Sequence, residues 1–179
     1  LRTVTGVQTC ALPISYARYN LWANQKLAEA VQLLKPEDLQ KPAVSSFPGI
    51  LPTVIHLWNA EAIWWERLRL AEHIELPGDN YKGDFREASV AWLDQSRRIA
   101  EWVDRASAAS LEHVFEYRSS KKELHKQAVW EALMHLFNHQ TYHRGQLVTL
   151  LRQAGMSSIP NTDYISFVRK KKSVVVSDR

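Results

Sequence analysis

The 179-residue sequence contains one cysteine, six glycines and seven prolines. A single thiol excludes an internal disulfide and fits a reducing compartment, so a cytoplasmic location is expected. Glycine and proline together fall well below the roughly 12% of average usage, so few turns interrupt long regular elements, which favours helices. No apolar run approaches the about 20 residues that span a bilayer, so no membrane partner is expected. Also missing are a P-loop, a GxGxxG fingerprint, a GxSxG elbow and a zinc-finger cysteine set. Nucleotide binding, α/β-hydrolase chemistry and a structural zinc finger therefore find no support.

An excess of one charge sign is missing too, once the chain is divided. The formal net charge is +4, and Arg169, Lys170, Lys171, Lys172 and Arg179 against Asp178 carry all of it. Residues 1–168 hold as many acids as bases. The basicity describes a tail, residues 169–179, expected to be disordered, and implies no specific nucleic-acid partner for the body.

What is present is a set of helical patterns. Residues 1–15 show no helical or strand period, and GVQTCALPIS resembles a translated sequencing adaptor. The segment is therefore read as non-native and kept out of fold reasoning, which leaves residues 16–168 as one domain without a cysteine. From Tyr16, apolar residues recur at steps of three and four through Leu34, with Ser15 as N-cap and Pro36 as the stop. Residues 35–39 can form a single turn. A second helix is predicted from Ile50 to Ala71, with Pro52 tolerated in its first turn. Asp84 and Glu87 give a capping-box-like start to a third helix that ends near Ala106. The stretch from Leu111 to Leu124 reads as a small hairpin or an extended crossing loop. A long fourth helix runs from Ala128 to Ala154, stopped by Gly155, and a last turn lies near Asp163 to Val168. The expected fold is all-α, a four-helix bundle with one long crossover.

The chemistry concentrates in the fourth helix, in His135-Leu-Phe-Asn-His139-Gln-Thr-Tyr-His143-Arg-Gly-Gln146. A spacing of four places neighbouring histidines on one face one turn apart, so two imidazoles can meet one metal ion. Three consecutive turns cannot all serve one ion, because His135 and His143 stand about 12 Å apart along the axis. Spacing alone does not choose between the pairs His135/His139 and His139/His143. Two ligands do not close a divalent site. His56, isolated among Val54, Ile55, Leu57 and Trp58 in the second helix, is the best third ligand, whereas His73, His113 and His125 sit in polar surroundings and are expected to be exposed. Three neutral imidazoles leave a position open, the arrangement of a catalytic site.

These residues resemble a known family. Tyr19-Asn-Leu-Trp-Ala-Asn-Gln25, Ile55-His-Leu-Trp58 with Trp64, Asn138-His-Gln-Thr-Tyr-His-Arg-Gly-Gln-Leu147 and Thr162-Asp-Tyr-Ile165 resemble the DinB family of the DinB/YfiT-like metalloenzyme superfamily. The similarity covers roughly Tyr16 to Val168, and its most specific part is the His-Arg-Gly-Gln segment. It implies a four-helix bundle with a divalent metal, zinc or nickel first and manganese or iron next, held by three histidines. Carried over by position, the ligands fall on His56, His139 and His143, with His135 a neighbour.

For activity the resemblance implies transfer of a small-molecule thiol to an electrophile, or hydrolysis of a small substrate. A metal-bound thiol or water would then be the nucleophile, and no catalytic base is identified. The family name refers to damage-inducible expression rather than to DNA contact. Family and tryptophan content together imply a homodimer. The contrasting expectation is a non-catalytic, metal-stabilised binding or dimer module of the stress response.

Smaller expectations attach to single residues. Trp22, Trp58, Trp64 and Trp65 wall a pocket near the metal or pack the core. Arg144 steers an anion or, more simply, forms a salt bridge. Gly145 admits another helix, Gln146 and Asn138 orient ligands, and Asn20 and Asn24 cap backbone or face solvent.

Overall fold

A computed structural model describes residues 7–39 and 41–169. Its elements are α1 (Val7–Val31), α2 (Pro36–Leu39), α3 (Ile50–Leu68), α4 (Phe85–Arg105), α5 (Ala108–Glu112), β1 (Val114–Arg118), β2 (Leu124–Ala128), α6 (Val129–Gln153) and a final helix α7 over 164–169. The basic tail lies, apart from Arg169, outside the described residues.

Several boundaries follow from local chemistry. The Glu87 amide donates to Asp84 Oδ1 at 2.9 Å, which caps α4. The Ala128 amide donates to Glu131 Oε2 at 3.0 Å at the start of α6. Helix α3 stops at Leu68, short of the predicted Ala71, because Leu70 adopts a left-handed conformation (φ 57°) and the Ala71 amide closes back on the Glu66 carbonyl at 3.0 Å. Helix α1 begins at Val7, ahead of the predicted cap at Ser15, and contains a buried Pro13. That early stretch shows no amphipathic period although Pro13 is buried and Ile14 packs against the core, so periodicity marks only part of the packed helix. The segment after α4 holds both the short α5 and an antiparallel hairpin with Val114 opposite Ala128 and Arg118 opposite Leu124.

The long helices pack in a ring, α1 beside α4, α4 beside α3, α3 beside α6 and α6 beside α1. Two apolar clusters fill its ends. One gathers Leu27, Val31, Val54, Leu57, Phe85, Trp92, Leu147 and Leu151. The other gathers Ala17, Ile99, Val103, Leu111, Phe115, Leu133, Leu136 and Phe137. The first cluster takes the C-terminal parts of α1 and α6 but the N-terminal parts of α3 and α4, so α1 and α6 run one way and α3 and α4 the other. The link from α3 to α4, residues 69–84, is thus the long crossover that returns along the bundle. It touches α3 at Gly78, whose amide donates to Asn59 Oδ1 at 2.7 Å and where a Cβ would collide with Ile55 and Asn59. Among the described residues no helix is long and apolar enough to cross a membrane.

Candidate metal centre

Between the two apolar clusters every long helix contributes polar groups. Glu61 of α3, fully buried, accepts from Asn20 Nδ2 at 2.7 Å, Asn24 Nδ2 at 3.1 Å and Ser96 Oγ at 2.7 Å. Arg144 of α6, only 2% exposed, donates to Asn20 Oδ1 and, at 2.9 Å, to Asn24 Oδ1. Burial pushes the Glu61 carboxyl up to about 7, against the opposing pull of Ser96, Asn20, Arg144 and Asn24. Arg144 therefore ties helices together rather than steering a substrate. Asn20 and Asn24 neither face solvent nor cap backbone. The layer fixes the rotation of α3 and α6 about their axes, and so which residues these helices turn toward one another.

On the outer side of that layer the two helices bring three histidines together. His56 Nε2 of α3 lies 3.1 Å from His143 Nε2 and 3.4 Å from His139 Nε2, both on α6, and the latter two are 3.2 Å apart. One ion bound at about 2.0–2.1 Å in tetrahedral geometry sets nitrogen separations of about 3.3–3.4 Å, and a denser shell somewhat shorter ones, so the triangle fits a divalent ion. Tautomers agree. Gln146 Oε1 accepts from His143 Nδ1 at 2.8 Å while Gln146 Nε2 donates to Ser46 Oγ at 2.7 Å, which leaves the His143 Nε2 lone pair directed at the triangle. Burial, reinforced by His143, pushes His56 and His139 down to about 4, so both are neutral and able to ligate near pH 7.

Three lone pairs meeting within 3.4 Å repel one another unless a cation or proton lies between them. The group is positioned to bind a metal ion. His143 is buried while His56 and His139 are half-buried, which leaves one side accessible. Phe47, from the loop between α2 and α3, stacks on the His56 ring at 4.2 Å and covers part of that side. Gln140 Nε2 donates to the Leu57 carbonyl at 2.7 Å and pins α6 to α3 beside the triad.

The remaining expectations divide. His135 stands outside the triangle, its ring 6.1 Å from that of His139. His73 and His113 are exposed as expected, but His125 is half-buried because it stacks on Tyr117 at 5.6 Å. Of these tryptophans, Trp64 stands against the histidine stripe, 5.1 Å from His135. Trp22 packs on Phe167, Trp58 on Tyr81, and Trp65 on Trp102. Asn138 is exposed and takes no part in ligand orientation. A Cβ at Gly145 would meet nothing within 4 Å, so that glycine admits no neighbouring helix.

The DinB family profile matches residues 7–173. The chain belongs to the DinB family. It is 30% identical over 155 residues to Protein DinB of Bacillus subtilis (strain 168), covering 82% of this chain and 87% of that protein. Its fold is similar to two solved DinB-like proteins. One, from Bacillus cereus ATCC 10987, gives a TM-score of 0.60 at 18% identity over 78% of this chain and 89% of that one. The other, from Bacillus subtilis, gives 0.61 at 14% identity over 83% and 97%. Family membership thus accompanies the histidine cluster in a bundle of the expected class.

Sequence reasoning missed Glu61 and the layer around it. A signal was present: Glu61 follows Val54 and Leu57, Ser96 follows Trp92, and Arg144 precedes Leu147 and Leu151, so each polar residue continues the apolar stripe of its helix.

Proposed function

We propose that this DinB-family chain is a metal-dependent enzyme in which His56, His139 and His143 hold one divalent ion, zinc or nickel, through Nε2. The observation that carries this reading is the convergence of three imidazole nitrogens at 3.1–3.4 Å across two helices. A divalent ion held there lowers the pKa of a small thiol or water near neutral pH, supplying a nucleophile for transfer to, or hydrolysis of, a small electrophile. The chain's own residues do the rest. Gln146 holds the His143 tautomer, Phe47 shields the His56 face from water, and Gln140 keeps α3 and α6 in register.

Turnover is favoured over a purely structural metal because both apolar clusters and the Glu61 layer join the helices without the triad, and because the triad keeps an accessible side. Metal analysis of tag-free protein tests the reading: one divalent ion per chain is expected, lost in His143→Ala. Unchanged metal content in that variant would overturn it. A panel of low-molecular-weight thiols and electrophiles, assayed with the metal found, then separates transfer from hydrolysis. The cytoplasmic homodimer is part of the same proposal and is checked by light scattering at micromolar chain concentration.

A further inference from the structure

A pocket of about 450 Å³ opens between the C-terminal half of α3, the hairpin and the first half of α6, and the proposed metal chemistry leaves it unassigned. Its size suits a small molecule. Trp64, Arg67, Tyr117, His125, Gln127 and His135 line it. The Arg67 guanidinium carbon lies 4.7 Å from the Trp64 ring centre and 5.0 Å from that of Tyr117, and because those rings are themselves 5.2 Å apart and inclined at 66°, both lie on one side of it. Among the described residues no carboxylate pairs with it, and no acceptor takes its buried Nε–H. Glu131 also lines the pocket with its charge intact, Oε2 accepting from the Ala128 amide, so an anion fits only on the Arg67 side.

With both rings on one side and no hydrogen bond or ion pair to its terminal nitrogens among the described residues, the guanidinium keeps a planar fork of donors matched to a carboxylate. The Nε–H is too buried for a ligand to reach, so an anion would meet the terminal nitrogens, and a half-buried cation without a counter-charge gains from such a partner. Gln127 spends its Oε1 on the Tyr117 hydroxyl at 2.5 Å, which leaves its amide nitrogen as a second donor. His135, itself exposed, borders the side toward the triad, 5.1 Å from Trp64 and one turn before His139.

We propose that this pocket binds the carboxylate of a small organic acid, with Arg67 as the fork and Trp64 and Tyr117 as its walls. The pocket's lining includes none of the triad, but His135 adjoins it, its ring 6.1 Å from that of His139. This defines the substrate of the enzyme as a carboxylate-bearing molecule. That consequence rests on the metal-enzyme reading, whereas the binding itself does not.

Calorimetric titration of benzoate, and of its neutral counterpart benzamide, into the full chain tests the proposal with and without added zinc. Benzoate should bind in both states and benzamide should not. Arg67→Gln should weaken benzoate by about tenfold or more, and Arg67→Lys should lose part of that because an ammonium cannot form the fork. Arg69→Gln, exposed just past the end of α3, should change nothing. If Arg67→Gln does not fold, the comparison of benzoate with benzamide on the unaltered chain and the Arg67→Lys variant decide. The proposal is overturned if the two probes bind alike, if benzoate does not bind by about 10 mM, or if Arg67→Gln binds it unchanged. Inorganic phosphate that displaces benzoate at lower concentration overturns the carboxylate assignment. Benzoate binding without any zinc uptake keeps the pocket and removes the metal reading; zinc uptake without benzoate binding does the reverse.

Discussion

At the scale of single residues, two neighbours on α6 have opposite jobs. Gln146 acts through His143: its Oε1 takes the Nδ1 proton, and its amide is itself held by Ser46. Replacing it with leucine keeps the helix but frees the imidazole to rotate and change tautomer. Zinc affinity measured by competition with a chromophoric chelator should fall about 10–100-fold in Gln146→Leu, the usual effect of losing such an orienting partner; an unchanged affinity would show that the contact is incidental. Gly145, one position earlier, contributes neither packing nor special backbone geometry, because a Cβ there meets open space. Gly145→Ala should therefore raise stability by about 0.5–1 kcal/mol, seen as an increase of a few degrees in Tm. Metal content should not change. A fall in Tm would mean that the space beside Gly145 is occupied, as it would be by a second chain.

At the scale of elements, the Glu61 layer registers the four long helices, and its protonation gives it a pH signature. The carboxyl is pushed from an ordinary value of 4.5 up to about 7 in the fold. Between those values the folded chain keeps a proton that the unfolded chain has released. The stability this contributes is fully present below pH 4.5 and is lost as pH rises through about 7. Glu61→Gln is neutral throughout and lacks that dependence. Urea unfolding of both proteins across this interval should therefore show the wild type losing ground to Glu61→Gln as pH climbs, and a constant difference would place the native carboxyl at its ordinary value.

Much of this scale was legible in the sequence. The four helices are readable because each buries one apolar stripe, and the Asp84–Glu87 start of α4 is readable because capping is local. The five-residue α5 carries too little sequence to show a period. The layer went unread because Glu61 between Ala60 and Ala62 looks like an ordinary solvated acid until its stripe position is compared with Asn20, Asn24, Ser96 and Arg144 on helices far apart in sequence. The site divides in the same way. HxxxH spacing left two pairs open, the family resemblance chose His139 and His143, His56 stood out by its apolar neighbours, and the fold adds where His135 goes instead, against Trp64.

For the whole molecule, the question is whether a metal at the proposed site would hold the bundle together or only use it. Two apolar clusters close the ends of the bundle, the Glu61 layer joins its middle, and the three histidines belong to none of these. A ligand that binds only the folded chain adds RT ln(1 + [L]/Kd), about 2.7 kcal/mol at a hundredfold excess over Kd, without being needed for folding. Removing the metal with a chelator should thus leave the far-UV circular dichroism spectrum of a helical protein and a cooperative thermal transition. Tm should drop by several degrees and recover when zinc or nickel is returned. His143→Ala should resemble the chelated protein and should not respond to added metal. The opposite result, loss of helical signal on chelation, would mean that repulsion among the three imidazoles outweighs what the clusters and the polar layer supply. That would move the protein from a folded scaffold carrying a metal site to one whose fold depends on it.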